Sequence, residues 1–401
     1  MRVEANRRDF LRGALATSAA LIAARSRALA FNAERHFAPV KVSRDRIIRE
    51  VVGLRPYRAE GFVVEAERIG PKLLVHNYGH GGAGMTLSWG TASLATDLAR
   101  GTEPGADRGP HAGIPHGVVD ATGSPRHRQK NTTVRHFAVL GCGVSGLSTA
   151  RLLQRRFQNG PGTVTIYAKD LPPDTTSNIS GAHWSPTTVF DPAAVSAKFT
   201  EQFRQACRIS NRAFQLLAGA EYGVRWIDTF ELYRHEAAIE RELPGGNDLY
   251  PQIEIHRDPD HYFGFPYVKQ FSTMLIEPQT YLNSLLRDFY IAGGRVVVKE
   301  FRSREEIMRL PESVIFNCTG LGARVLFNDQ KLGPVRGQLE ILLPQPEIDY
   351  CYLSTGYMFP RHDGIILGGT FDHDDWSLAP RPEQATGILE AHAGIMKGLK
   401  G

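Results

Sequence analysis

A chain of 401 residues, 42% hydrophobic and 22% charged, has the make-up of a soluble globular protein and is long enough for a large core or two linked domains. Its formal charge of +5 does not indicate a nucleic-acid partner: six arginines against Glu4 and Asp9 place +4 in the first thirty residues, leaving +1 for the rest, with no basic stripe interleaved with aromatics. Cys142, Cys207, Cys318 and Cys351 are widely spaced without a C-x-x-C pair, so they read as buried free thiols rather than metal ligands, disulfides or nucleophiles, and no metal is expected.

In chain order, residues 1–30 join a basic start, Asn6-Arg7-Arg8-Asp9-Phe10-Leu11-Arg12, to an apolar run over 13–24 and to Ala28-Leu29-Ala30. This is the pattern of a twin-arginine leader cleaved before Phe31; the alternative is an amphipathic first helix. It predicts a periplasmic or secreted enzyme, with the twin-arginine export machinery as a partner that carries it folded and cofactor-loaded. The apolar run is short for a membrane span and no later stretch is long enough, so no stable span is expected after cleavage. Short apolar, β-branched runs over 47–52, 62–67 and 73–76 predict three strands. Gly79-His80-Gly81-Gly82-Ala83-Gly84 and a helical pattern over 85–99 complete a first block, 31–100. Residues 101–135 have no hydrophobic period and read as a linker.

From residue 137 the pattern becomes strand (137–140), glycine turn, helix (147–157) and strand (163–167), a βαβ unit within 136–190. Residues 191–295 alternate helical stretches, such as 198–218, with short aromatic strands and read as part of a substrate domain. Strands over 295–298 and 314–317 return the chain to the dinucleotide-binding sheet in 296–330. A strand over 364–370, also read as parallel, falls in 331–401, which completes the substrate domain.

Gly141-x-Gly143-x-x-Gly146 carries a mechanism: one glycine for the tight turn, one for approach of the backbone to a pyrophosphate, one for close packing of helix on strand. NAD and FAD both use such a turn. The acid that meets ribose hydroxyls should fall at the end of the next strand, where Lys169 takes the position and Asp170 follows, leaving open which side chain does so.

Val139-Leu140-Gly141-Cys142-Gly143-Val144-Ser145-Gly146-Leu147-Ser148, Pro173-Asp174-Thr175-Thr176-Ser177-Asn178, Asn317-Cys318-Thr319-Gly320, Gly337-Gln338 and Leu367-Gly368-Gly369-Thr370 together resemble the D-amino-acid and D-aspartate oxidases, in that family's order. Its remaining segments stand at the front instead, as Gly53-Leu54-Arg55-Pro56-Tyr57-Arg58 and His76-Asn77-Tyr78-Gly79-His80-Gly81-Gly82. The two blocks make one copy in circularly permuted order. The resemblance implies an α/β fold with a Rossmann-like, doubly wound FAD-binding domain and a mixed-sheet α+β substrate domain.

It also implies roles. Gly141, Gly143 and Gly146, with Val144 and Ser145 between them, would hold the FAD pyrophosphate, Thr175, Thr176 and Ser177 would supply hydroxyls nearby, and Lys169 or Asp170 would meet the ribose. Gly181, Ala182, His183, Gly81, Gly84, Met85 and Thr86 would line the flavin through their backbones. Arg55 and Tyr357, with Tyr352 as a lid residue, would meet the substrate carboxylate, and the Gly82 carbonyl the amine. Arg55 could instead be a strand-end surface arginine, and the tyrosines half-buried core residues. His76, His80 and His183 read as structural. The implied activity is oxidation of a D-amino acid by FAD and O2 to a 2-oxo acid, ammonia and H2O2 without a side-chain acid or base; a homodimer is one possible assembly, and the sequence does not decide the oligomeric state. The absence of an arginine in Asp349-Tyr350-Cys351-Tyr352 favours neutral substrates over D-aspartate. A glycine- or sarcosine-type flavin oxidase and a non-catalytic FAD-binding relic are the other readings.

Overall fold

The structure, a computed structural model, describes residues 37–100, 136–157, 163–257 and 263–400. The expected leader over 1–30 and the expected linker over 101–135 therefore lie outside the described residues. Strands β1 (Ile47–Tyr57), β2 (Val63–Ile69), β3 (Lys72–Tyr78), β4 (His136–Leu140), β5 (Thr163–Ala168), β6 (Val224–Tyr233), β7 (Glu254–His256) and β8 (Tyr267–Ile276) are followed by β9 (Arg295–Val298), β10 (Val314–Asn317), β11 (Gly333–Leu342), β12 (Tyr350–Leu353), β13 (Tyr357–Arg361), β14 (Gly364–Gly368) and β15 (Asp372–His373). The long helices are α1 (Gly84–Arg100), α2 (Val144–Arg156), α3 (Ala197–Leu216), α4 (Pro278–Ile291) and α5 (Pro382–Lys397).

Among the described residues these strands make two sheets. The first has the order β2-β3-β10-β4-β5-β9, parallel throughout except for β2, which returns antiparallel along β3. Its central strands β3, β10, β4 and β5 are apolar and buried along most of their length because both faces are covered, whereas the edge strands β2 and β9 are largely exposed or half-buried. Phe137 and Val139 of β4 pack with Val75, Phe316 and Leu147 on the side of α1 and α2, whereas Ala138 and Leu140 pack with Leu74, Ile315 and Ile307 on the other. The second sheet is mixed, β1-β11-β14-β13-β12-β6-β8-β7, with β15 beside β11; β6 and β12 are parallel and the other pairs antiparallel.

The front block is thus divided between the sheets: β1 belongs to the second, β2 and β3 to the first. Beyond β3, α1 packs between α2 and α3. At the other end of the chain, α5 lies on one face of the second sheet, where Ile388 and Ile395 join Phe37 and Val40. There the Val40 N–H points to the Met396 sulfur at 3.2 Å.

Three expectations need correction. The strand at 47–52 continues through Gly53 and Pro56 to Tyr57; β1 is an edge strand, where a proline without an N–H is tolerated. Helix α2 begins at Val144 rather than 147, because Gly146 lies in its first turn. The strand expected as parallel over 364–370 is antiparallel to both β11 and β13 and belongs to the second sheet. It is apolar on both faces because the sheet is covered on both, and an apolar run carries no information about strand direction.

Candidate active site

The C-terminal ends of β4, β10 and β5 open into a cavity of about 1010 Å³ that runs across to β1, β11 and β13 of the second sheet. Two glycine-rich turns meet there. In the first, Gly141 has φ +102°, and a Cβ on it would lie 2.5 Å from the Cys318 carbonyl oxygen. A Cβ on Gly146 would lie 2.0 Å from the Gly141 oxygen. Only glycine permits this closeness. The turn opens α2, so the N-terminus of that helix faces the cavity, with Gly143, Val144 and Ser145 on its wall. Ser177 Oγ accepts from Val144 N–H at 3.0 Å and so joins the 174–178 loop to this turn, while Thr175 donates to Asn178 at 2.8 Å.

The second turn, at residues 79–84, opens α1 into the same cavity, lined by Gly81, Gly82, Gly84, Met85 and Thr86. Gly81 has φ +56°, and a Cβ there would meet the Thr188 oxygen at 2.1 Å; Gly82 N–H donates to that oxygen at 3.1 Å. His80 lies between the turns. Its Nε2 bonds Asn77 and Thr91, both at 3.1 Å, and Ser145 Oγ is 3.5 Å from its Nδ1. Burial pulls its pKa down to about 4, so the ring is a neutral structural link.

Gly181 and Ala182 line the cavity between the two turns. A Cβ on Gly181 would meet the Phe359 ring at 2.9 Å, and Ala182 has φ +58°. His183 also lies on the cavity wall, its ring bonding Thr229 at 2.9 Å and stacking on Phe359, with its pKa pulled down to about 3 by burial. Lys169 and Asp170 are exposed at the end of β5, 3.6 Å apart in an ion pair with each other. His76 is also accounted for structurally, bonding Asn317 at 3.0 Å and Glu67 at 3.2 Å. Cys142 and Cys318 line the cavity as buried thiols, each pushed up to about 12 by desolvation; Cys207 and Cys351 are likewise buried and free.

Arg55 reaches the cavity from β1. Its guanidinium lies against Gly337, where a Cβ would come within 2.3 Å of Nη1, and beneath the Phe371 ring at 4.5 Å; Nη1 donates to the Thr370 carbonyl at 3.3 Å. Among the described residues it has no ion-pair partner, unlike Arg58 with Asp329, Arg336 with Asp372 and Arg361 with Asp363. Tyr357 faces the same cavity from β13, its ring 4.7 Å from Phe359 and packed on Gly368.

Tyr352 does not join them. It is wholly buried on the α5 face of the second sheet, where its hydroxyl bonds His392 Nδ1 at 2.6 Å. Side chains alternate along a strand, so Leu353, the next residue, lines the cavity instead. The expected lid role of Tyr352 is therefore corrected to a core role. Reading the sequence alone also passed over Thr187, Thr188, Phe371, Leu378 and the 299–302 segment on the cavity wall. Thr188, with φ +53°, carries no sequence signal for that conformation, whereas the glycines opposite it do.

The cavity fits a dinucleotide flavin on two counts. The glycine turn would admit a phosphate close to the backbone, and a second helix N-terminus, α1, supplies a further set of N–H donors at the far side of the same space. Gly141 to Gly146 would hold the pyrophosphate, and the α1 turn with 181–183 the ring system.

The family model described as FAD dependent oxidoreductase (DAO) matches residues 10–98 and 136–400. A D-amino-acid oxidase from Rubrobacter xylanophilus is 31% identical over 284 residues, covering 68% of this chain and 80% of that protein. A D-amino acid oxidase from Dugesia ryukyuensis is 28% identical over 277 residues, 66% of this chain and 79% of that protein. A D-aspartate oxidase from Homo sapiens is 28% identical over 278 residues, 66% and 76% respectively. With its glycine turns, two converging helix ends and matched family model, the chain belongs to the DAO family of FAD-dependent oxidoreductases, and FAD is its cofactor.

Proposed function

We propose that this enzyme oxidises neutral D-amino acids to 2-oxo acids, with ammonia and H2O2 as the other products. The observation that carries the reading is Arg55: an arginine without an acidic partner among the described residues, laid on a glycine at the wall of the FAD cavity, with Tyr357 facing the same space. A guanidinium in that setting takes a carboxylate through two parallel bonds. FAD, held by the glycine turn at 141–146 and the α1 turn, would supply the two-electron oxidation of the substrate, with O2 as the final acceptor.

The chain's own residues bind and orient. Arg55 and the Tyr357 hydroxyl hold the carboxylate. The backbone of Gly82, adjacent to the Arg55 side chain, offers its carbonyl to the amine, since its N–H is already engaged by Thr188. Fixing carboxylate and amine leaves one enantiomer with its α-hydrogen turned toward the ring, so orientation sets handedness. No side chain need move a proton if the amine enters neutral. The 2-imino acid that leaves is hydrolysed by water to the oxo acid and ammonia. The relatives include both D-amino-acid and D-aspartate oxidases; the neutral class is favoured because Arg55 is the one cation that the second sheet brings to the cavity wall among the described residues. The test is H2O2 release from D-alanine, L-alanine and D-aspartate: release with D-alanine alone supports the reading, and equal release with both alanines overturns it.

The same proposal includes the chain's history and destination. A circular permutation of a family ancestor is supported by the contact of Val40 with Met396, since an unpermuted chain would run from α5 directly into the segment before β1. Export through the twin-arginine route is supported by Arg7-Arg8 and the run after it. Arg7→Lys with Arg8→Lys should leave the enzyme in the cytoplasm; unchanged periplasmic recovery would defeat that part.

A further inference from the structure

The two cofactor turns belong to stretches of chain on either side of residues 101–135, the α1 turn before and the α2 turn after, and a closed ring of four side chains joins them. Thr149 Oγ1 on α2 donates to the Ser145 carbonyl at 2.7 Å, and Asn77 Nδ2, from β3, donates to Thr149 Oγ1 at 3.0 Å. His80 Nε2 is 3.1 Å from Asn77 Oδ1, and Ser145 Oγ stands 3.5 Å from His80 Nδ1. Asn77, His80 and Thr149 are buried, and Ser145 is half-buried.

One proton fixes the direction of every link. The Thr149 hydroxyl has committed its hydrogen to the Ser145 carbonyl, so its oxygen accepts; the part of the Asn77 amide facing it is therefore the nitrogen, which turns Oδ1 toward His80. An amide oxygen only accepts, so Nε2 of His80 carries the ring proton and Nδ1 is bare, with the Ser145 hydroxyl as the donor within reach. Thr91 donates to the Leu87 carbonyl at 3.3 Å and leaves its oxygen to share the Nε2 proton at 3.1 Å.

Stability alone does not call for such a ring. Val75, Leu147 and Ala150 belong to the same core, and apolar side chains of matching shape could fill the space at little cost. What directional bonds add is one defined arrangement of the segments that carry them. Here those segments are the two glycine-rich turns: Asn77, His80 and Ser145 stand on the wall of the FAD cavity, and Thr149 lies off it. A second tie holds the same two helices farther along, where Arg156 near the end of α2 donates to the Ser93 carbonyl at 3.1 Å and to Asp97 at 2.9 Å on α1.

We propose that the ring of Asn77, His80, Ser145 and Thr149 presets the separation of the two turns, with His80 as its central positioning residue, so that a ligand reaching both binds without first drawing them together. FAD is such a ligand and gains affinity from the preset spacing, whereas one that meets a single turn gains none. ADP, the portion of FAD that meets the turn at 141–146, is of the second kind.

The test compares the two ligands. Dilution of purified holoenzyme releases FAD, whose fluorescence gives its dissociation constant, and ADP added as a competitor gives its own. Thr149→Val keeps the side-chain shape and opens the ring; it should weaken FAD about tenfold, the scale of one or two lost hydrogen bonds, and ADP by no more than about twofold. Thr149→Ser, which keeps the hydroxyl, should hold FAD as the wild type does. Arg156→Ala, on the same helix pair but off the cavity wall, should lower the melting temperature and leave the ratio of FAD to ADP affinity unaltered. An FAD affinity that survives Thr149→Val in folded protein, an equal loss of FAD and ADP, or a ratio that Arg156→Ala lowers as far, overturns the proposal. Should Thr149→Val not fold, His80→Asn carries the same comparison. Its shorter side chain does not reach both Asn77 and Ser145, so it should give a loss confined to FAD; an unaltered FAD affinity, or a matching loss of ADP, overturns the proposal there too.

Discussion

Replacing Arg55 by alanine should abolish most of the catalytic efficiency while leaving the protein folded and yellow. In the free enzyme Arg55 makes one hydrogen bond, to the Thr370 carbonyl at 3.3 Å, and one ring contact, with Phe371 at 4.5 Å, and no ion pair among the described residues. Each such interaction contributes about 1 kcal/mol or less, so the loss in melting temperature should be no more than about 2–4 °C. On the proposed function, the same guanidinium would be the partner of a substrate carboxylate beside Phe371 and the cavity wall. Removing one member of a buried charged pair costs about 3–5 kcal/mol, so kcat/KM for every D-amino acid should fall on the order of a hundredfold to several thousandfold. Arg55→Lys should recover part of this, since an ammonium cannot place two parallel bonds on a planar carboxylate. The assay is steady-state H2O2 formation, with flavin content and melting temperature measured for both variants. Near-normal turnover in Arg55→Ala would refute the assignment, and an unfolded or colourless variant would make Arg55 a structural residue.

Three further outcomes follow from the geometry. Gly146→Ala places a Cβ 2.0 Å from the Gly141 oxygen and should yield protein that retains little FAD; full flavin occupancy would contradict the cradle. Tyr357→Phe should raise KM several-fold with little change in stability, whereas Tyr352→Phe should cost about 1–2 kcal/mol of stability by leaving His392 Nδ1 without its donor, and spare KM; the reverse pattern in substrate titrations and thermal melts would restore Tyr352 to the site. His80, His183 and His392 have pKa values pulled by burial to about 4, 3 and 4 from 6.5, so the unfolded chain takes up protons first as pH falls. Stability that is nearly whole above about pH 7 should then decline toward pH 4, by about 3 kcal/mol for each histidine, seen as a falling melting temperature that His80→Asn makes shallower.

How far the sequence disclosed this arrangement differs from residue to residue. The turn at Gly141 was legible because its glycines are required by backbone contacts that no side chain permits, and the spacing expresses those contacts directly. The strand β10 was legible as an apolar run buried on both faces, and β9, a partly exposed edge strand, as a short β-branched run. The two tyrosines were not separable: which of Tyr352 and Leu353 faces the cavity depends on the pleat and on the hairpin between β12 and β13, and a shift of one residue exchanges the faces. Gly337 stood in a motif without a reason; the structure supplies one, since the Arg55 guanidinium occupies the place of its side chain. Phe371 and Leu378 were invisible because they lie in a loop with no period, and their position is set by Arg336, which sits 35 and 42 positions before them and is buried beneath the loop.

The central claim is that FAD and a D-amino acid meet in one cavity built from both blocks of the chain. Anaerobic addition of D-alanine or D-leucine to the purified yellow protein tests it most directly. Rapid bleaching of the flavin colour by the D-enantiomers, with no bleaching by L-alanine or L-leucine and with colour and H2O2 returning on admission of air, is the result the account predicts. Protein that binds FAD but keeps its colour with every D-amino acid, or that is bleached equally by both enantiomers, would contradict it.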